Sequence, residues 1–150
     1  MLIDKGYCLS MHLLNRGSVL ALLAFSTLFV TQAQAAAPPK VTITGTLPAT
    51  QSGVRIFALP TSGGGVSGIV STKGAFSLSI LKSQTNGLSL QMLSNKGKYL
   101  GPIMLYASGA TGATRLKGIS STSLALGAVN VYAGYAQLKT MLKPAAVQLS

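Results

Sequence analysis

Acid–base, nucleophilic and metal chemistry at neutral pH draws on few side chains, and this sequence confines most of them to one short stretch. The single acid in 150 residues is Asp4, the single thiol Cys8 and the single imidazole His12. From Ala36 to Ser150 there is no Asp, Glu, His, Cys or Trp. General acid–base catalysis over that span is left with Lys and Tyr alone. A Ser-His-Asp triad and a glycosidase carboxylate pair are both excluded, because each needs groups the span lacks. Ser67 with Lys73 remains formally open as a dyad. Both stand in Gly-rich loop or turn sequence, where Ser and Lys are ordinary residues. Zinc needs Cys, His or carboxylate ligands, and calcium binds poorly without a carboxylate. The expectation is a non-enzymatic chain with no cofactor and no metal.

Two further patterns carry binding potential. The string GGGVSG, Gly63 to Gly68, formally fits G-x-G-x-x-G. A dinucleotide site needs a helix after that string and an acid further on. Here IVST follows and no acid exists downstream, so the string reads as a flexible hairpin loop. The second pattern is charge: twelve Lys and Arg against one acid give a net charge of +11. Removing Lys5 and Arg16 leaves ten basic residues after Ala35. Lys96 and Lys98 flank Gly97 in one turn, and Arg115 and Lys117 precede Gly118 in a loop. These four are the candidate anion contacts, with Tyr99 beside Lys98 as a stacking ring. Their partner would be nucleic acid, lipopolysaccharide or another anionic envelope polymer, reached by long-range attraction. The plainer reading is that scattered charge keeps an apolar module soluble. Tyr99, Tyr106, Tyr132 and Tyr135 read as half-buried residues at strand ends rather than a sugar platform.

The elements that position these residues begin with an export signal. Lys5 and Arg16 form a basic start, GSVLALLAFSTLFVTQ an uncharged apolar middle, and Ala33-Gln34-Ala35 an A-x-A cleavage site. Cleavage is expected after Ala35, with Met11 as an alternative start. An uncleaved anchor is the competing reading, since the charge-free run to Ala37 approaches the ~20 residues a span needs. Its second half is Thr, Gln and Ala, which favours cleavage and a secreted, periplasmic or cell-surface location. Residues 36–40 form a linker, 41–135 a β-sandwich domain and 136–150 a C-terminal tail.

Within the domain the apolar residues alternate. VTITGTL (Val41 to Leu47), AFSLSI (Ala75 to Ile80) and LSLQML (Leu88 to Leu93) each present one apolar face, VRIFAL (Val54 to Leu59) is a strand stopped by Pro60, and SLALGAVNVY (Ser123 to Tyr132) is a strand with a Gly break. Ile69 to Thr72 and Ala75 to Ile80 are expected to pair as a hairpin. KYLGPIMLY is a further strand, with Gly101-Pro102 marking it as a sheet edge or a bulge. Seven or eight short strands separated by Gly, Ser, Thr and Pro turns predict an all-β, antiparallel sandwich. YAQLKTML is ambiguous between strand and short helix.

On these residues the chain resembles the carboxypeptidase regulatory-like domains of exported bacterial proteins. The correspondence runs through Val54, Ile56 and Ala58, then Thr72, Gly74, Phe76 and Leu78, then Leu126, Gly127, Val129 and Val131. It covers about Lys40 to Val131. Lys73 stands where the family usually carries Asp or Asn. The resemblance implies a transthyretin-like (prealbumin-like) Greek-key sandwich with no active-site residues. It implies a folding, spacing or interaction role, with an unknown protein or an anionic envelope polymer as partner.

Overall fold

The computed structural model describes residues 35–108 and 111–149. The expected signal peptide, its helix and Ala33 lie outside the described residues. Ala35 is described and exposed, and the division between the chain's two units falls between Ala35 and Ala36. Among the described residues no helix is long and apolar enough to cross a membrane.

The second unit is built from strands, twelve of them among the described residues. In chain order they are β1 (Lys40–Thr46), β2 (Arg55–Leu59), β3 (Val66–Ile69), β4 (Ala75–Leu81), β5 (Ser89–Leu93) and β6 (Tyr99–Met104). There follow β7 (Tyr106–Ser108), β8 (Thr111–Ala113), β9 (Arg115–Leu116), β10 (Ser123–Tyr132), β11 (Tyr135–Leu138) and β12 (Val147–Gln148). The alternating segments of the sequence became strands because their period of two puts every apolar side chain on one face. In β1, Val41 and Ile43 are fully buried while Thr44 and Thr46 are exposed. In β4, Phe76, Leu78 and Ile80 point inward and Ser77 and Ser79 outward.

Eight strands run side by side in the order β3-β2-β5-β6-β11-β10-β1-β4, and the sheet curls until its two ends nearly meet. Ile43, Ile56, Leu90, Met92, Ile103 and Leu138 fill the inside of this barrel with no exposed surface to speak of. β3 and β4 close it without a ladder. Gly68 of β3 lies so near β4 that an added Cβ would stand 2.6 Å from the Ser77 carbonyl oxygen. β9 extends the barrel beside the start of β5, with β12 paired to it, and β7 and β8 form a separate ribbon.

Four expectations need correction. The sheet is mixed rather than antiparallel, since β1 pairs parallel with β10 and β11 pairs parallel with β6. Parallel neighbours need a long crossover, and β2 to β9 supply it between β1 and β10. This also departs from the purely antiparallel Greek key that the family resemblance implied. Second, β3 and β4 share a tight turn but not a ladder: β3 pairs with β2 and β4 with β1. Gly74 N–H donates to the Ser71 carbonyl at 2.9 Å and Leu47 N–H to the Gly74 carbonyl at 2.9 Å, so the turn belongs to β1 as much as to β3.

Third, of the two readings of the Gly101-Pro102 break, edge or bulge, the bulge holds and the edge does not. β6 sits between β5 and β11, and its Gly101-Pro102 break is absorbed by a bulge, with Met92 opposite Gly101 but Leu93 opposite Tyr99. Fourth, residues 136–150 are not a tail. Ala136 and Leu138 are buried because β11 is wedged between β6 and β10, and Val147 is buried where β12 pairs with β9. Four residues of YAQL were too short a period to show this from sequence.

Candidate functional site

The four candidate anion contacts fall into two separate places. Lys96 and Lys98 stand on the β5–β6 turn. Ser94 N–H donates to the Lys98 carbonyl at 2.8 Å, Gly97 N–H to the Ser94 carbonyl at 2.9 Å, and Lys98 N–H to Ser94 Oγ at 3.0 Å. Gly97 takes a φ of 79° that a side chain would resist. These bonds hold the loop and leave both lysines exposed. Arg115 instead pairs with Ser89 at the start of β5, its Nη1 donating to the Gly87 carbonyl at 3.4 Å. Lys117 follows, its N–H donating to the Ala146 carbonyl at 2.9 Å. The five steps from Ser89 to Ser94 separate the pairs by about 17 Å at ~3.3 Å per residue. The structure therefore keeps Lys96–Lys98 and Arg115–Lys117 at opposite ends of the barrel.

Topology brings other residues to Lys96 and Lys98. β6 and β11 are parallel, so the turns that lead into them, at 94–98 and 133–134, share one end of the barrel. β2, antiparallel to β5, begins at that end with Arg55, and the β3–β4 turn carries Lys73 there. A cross-strand row runs on the outer face from Ile69 to Arg55 to Leu93 to Tyr99. Tyr99 is 54 % exposed. Next around the rim, Tyr135 and Tyr132 face each other across the β10–β11 hairpin with ring centroids 4.9 Å apart, stacked. Arg55, Lys73, Lys96 and Lys98 thus share a rim with three exposed tyrosine rings and, among the described residues, no carboxylate. Arg55 escaped sequence reasoning because its outward phase in VRIFAL was legible while its partner strand was not.

The other end carries Lys40, Lys82, Arg115 and Lys117. There Lys82 Nζ donates to the Ser120 carbonyl, and Thr85 Oγ1 accepts the Ile119 N–H at 2.9 Å. This ties the loop after β9 to the segment after β4. The charge at this end is spent partly on loop structure.

A second feature is an open groove of about 630 Å³ on the outer face of β10, β1 and β4, with Ile69 as one wall. Its floor is small: Gly45, Ala75, Ala125 and Gly127. Gly127 has a φ of 69° and sits at a bulge, where Thr44 opposes Ala125 but Thr46 opposes Ala128. The Phe76 ring lies under Gly45 and closes the floor from below.

The remaining sequence motifs resolve into framework. Gly63 and Gly64, with φ of 80° and 66°, turn the β2–β3 hairpin, and a strand rather than a helix follows. Ser67 lies mid-strand in β3 opposite Phe57, with no hydrogen bond to Lys73. Among the described residues no group of His, Cys, Asp or Glu could hold a metal ion. No protein-family model and no curated protein matches the chain.

Proposed function

We propose that this chain is an exported, non-enzymatic β-module with an interaction role at the cell surface or outside the cell. In this reading residues 1–35 direct export, and the turn end of the barrel makes the contact. The partner is an anionic envelope polymer. The observation that carries this is the convergence of Arg55, Lys73, Lys96 and Lys98 on one rim, in a span with no carboxylate to neutralise them. Cations with no acidic partner among the described residues attract a polyanion over a Debye length and release its counterions on contact. Tyr99, Tyr132 and Tyr135 add flat apolar faces beside the charges. The non-catalytic role implied by the resemblance to carboxypeptidase regulatory-like domains points the same way.

The test is retention on heparin at rising salt. A variant with Arg55, Lys73, Lys96 and Lys98 all changed to Gln is expected to elute at much lower salt than the parent. A variant with Lys40, Arg115, Lys117 and Lys143 changed to Gln loses the same charge from elsewhere and is expected to be retained far better. Equal loss in both variants would show that net charge, not the rim, is responsible.

A further inference from the structure

The outer-face groove combines three properties. Its lining is mostly apolar, contributed by Ile69, Ala75, Phe76, Ala125 and the backbones of Gly45 and Gly127. Its volume, about 630 Å³, lies within the range of small-molecule sites, ~300–1,000 Å³. The charged residues nearest its lining along the chain and across the ladders are basic. Arg55 is the direct ladder partner of Ile69. Lys73 lies in the turn between Ser71 and Ala75, both of which line the groove. Lys139 N–H donates to the Ala128 carbonyl at 2.8 Å, next to Gly127.

An added peptide strand is excluded at the adjoining seam. Gly68 already lies against the Ser77 backbone, so no strand fits between β3 and β4. Side-chain hydroxyls from Thr44, Thr46, Ser71 and Ser77 dot the lining, and Thr46 Oγ1 is already committed to the Gly127 carbonyl at 3.5 Å. The occupant that matches is therefore an apolar chain with an anionic head. The chain would cover Ile69 and the small-residue floor, and the head would meet Arg55 and Lys73.

We infer that this groove binds a single anionic amphiphile, a long-chain fatty acid or a lipid of the same chemistry, taken up as a monomer. The site shares Arg55 and Lys73 with the polymer contact and differs from it in ligand and in the apolar surface that Ile69 and the groove floor supply. Binding by apolar cover predicts that affinity falls roughly two- to fourfold for each methylene removed from the chain. Charge complementarity predicts that the carboxylate is preferred over the matching alcohol.

The experiment is calorimetric titration of the chain with oleate, and with oleyl alcohol, below their aggregation concentrations. Oleate is expected to bind one to one and at least tenfold more tightly than the alcohol. Ala125→Phe fills the groove at an exposed position and should weaken oleate at least tenfold. Ile69→Ser, at a residue 62 % exposed, removes the wall without touching the core and should do the same. Arg55→Gln with Lys73→Gln should weaken oleate severalfold and leave the alcohol unchanged, while Lys117→Gln should leave both unchanged. No binding of monomeric oleate, or oleate binding indifferent to both groove variants, would overturn the inference. Binding only to anionic phospholipid vesicles, or a chain dimer broken by Ala125→Phe with no oleate bound, would overturn it too.

Discussion

Gly45 on β1 lies directly opposite Phe76 on β4, and a Cβ on Gly45 would stand 2.6 Å from the Phe76 ring. The pair is a lock between a missing side chain and a large one. The ring fills the space that the glycine vacates, and it underlies the groove on the outer face. Gly45→Val is expected to destabilise the barrel by about 1–3 kcal/mol through overpacking. Phe76→Ser should cost at least ~3–5 kcal/mol, as for truncation of a buried aromatic. Because the two residues touch, Gly45→Val combined with Phe76→Leu should cost less than the sum of the single changes. Urea unfolding of the four chains measures this, and strict additivity would show that the ring and the glycine do not share the space.

Gly101 on β6 makes a second close approach. Its φ is 128°, and a Cβ there would overlap the Gly134 carbonyl in the β10–β11 turn. Gly101→Ala should therefore lower stability by more than about 2 kcal/mol, combining backbone strain with a backbone clash. The same change should disturb the Tyr132–Tyr135 stack, visible as altered near-ultraviolet circular dichroism. A wild-type melting curve for Gly101→Ala would show that the hairpin is not seated on β6.

The β3–β4 turn separates two adjacent residues in their effect on folding. Lys73 is exposed, and Lys73→Ala should change stability by no more than about 0.5 kcal/mol. Gly74 has a φ of 83°, and its Cβ would overlap the Leu47 carbonyl. Gly74→Ala should cost about 2 kcal/mol or more. Thermal denaturation of both variants provides the comparison.

Stability should be nearly flat across the pH range where most proteins change. Residues 36–150 contain no Asp, Glu or His. With no side-chain carboxylate or imidazole in this span to change its proton on folding, proton uptake by folded and unfolded chains differs little between about pH 5 and 9. With no slope in proton binding there is no slope in free energy. Urea midpoints at pH 5, 7 and 9 should coincide, and added sodium chloride should raise all three by screening like charges. A stability change above ~1 kcal/mol between pH 5 and 7 would contradict this.

Much of this protein could be read from its residues alone. Alternation in VTITGT and AFSLSIL named both the strands and their buried faces, because a period of two leaves one solution for which side is apolar. SLALGAVNVY read as a strand, but its buried phase shifts at the Gly127 bulge, from Leu126 to Val129. The absence of every acid, imidazole and thiol after His12 set the expectation of a non-enzymatic chain without reference to any fold. The glycine turn at Lys73-Gly74 was legible as a turn.

Partner choice was decided only in three dimensions. Ladder hydrogen bonds join backbone to backbone and are blind to side-chain identity, so alternation says which face of β1 is buried but not that β10 lies parallel beside it. For the same reason AFSLSIL turned back from β3 yet paired with β1, and of the two readings of Gly101-Pro102, edge or bulge, the ladders decided for the bulge. The charges followed. Lys96 and Arg115, both marked by sequence, were carried to opposite ends of β5, while Arg55, forty-one residues before Lys96, was carried to the same rim. Charge density belongs to the sequence; its grouping is a product of which strands the barrel sets side by side.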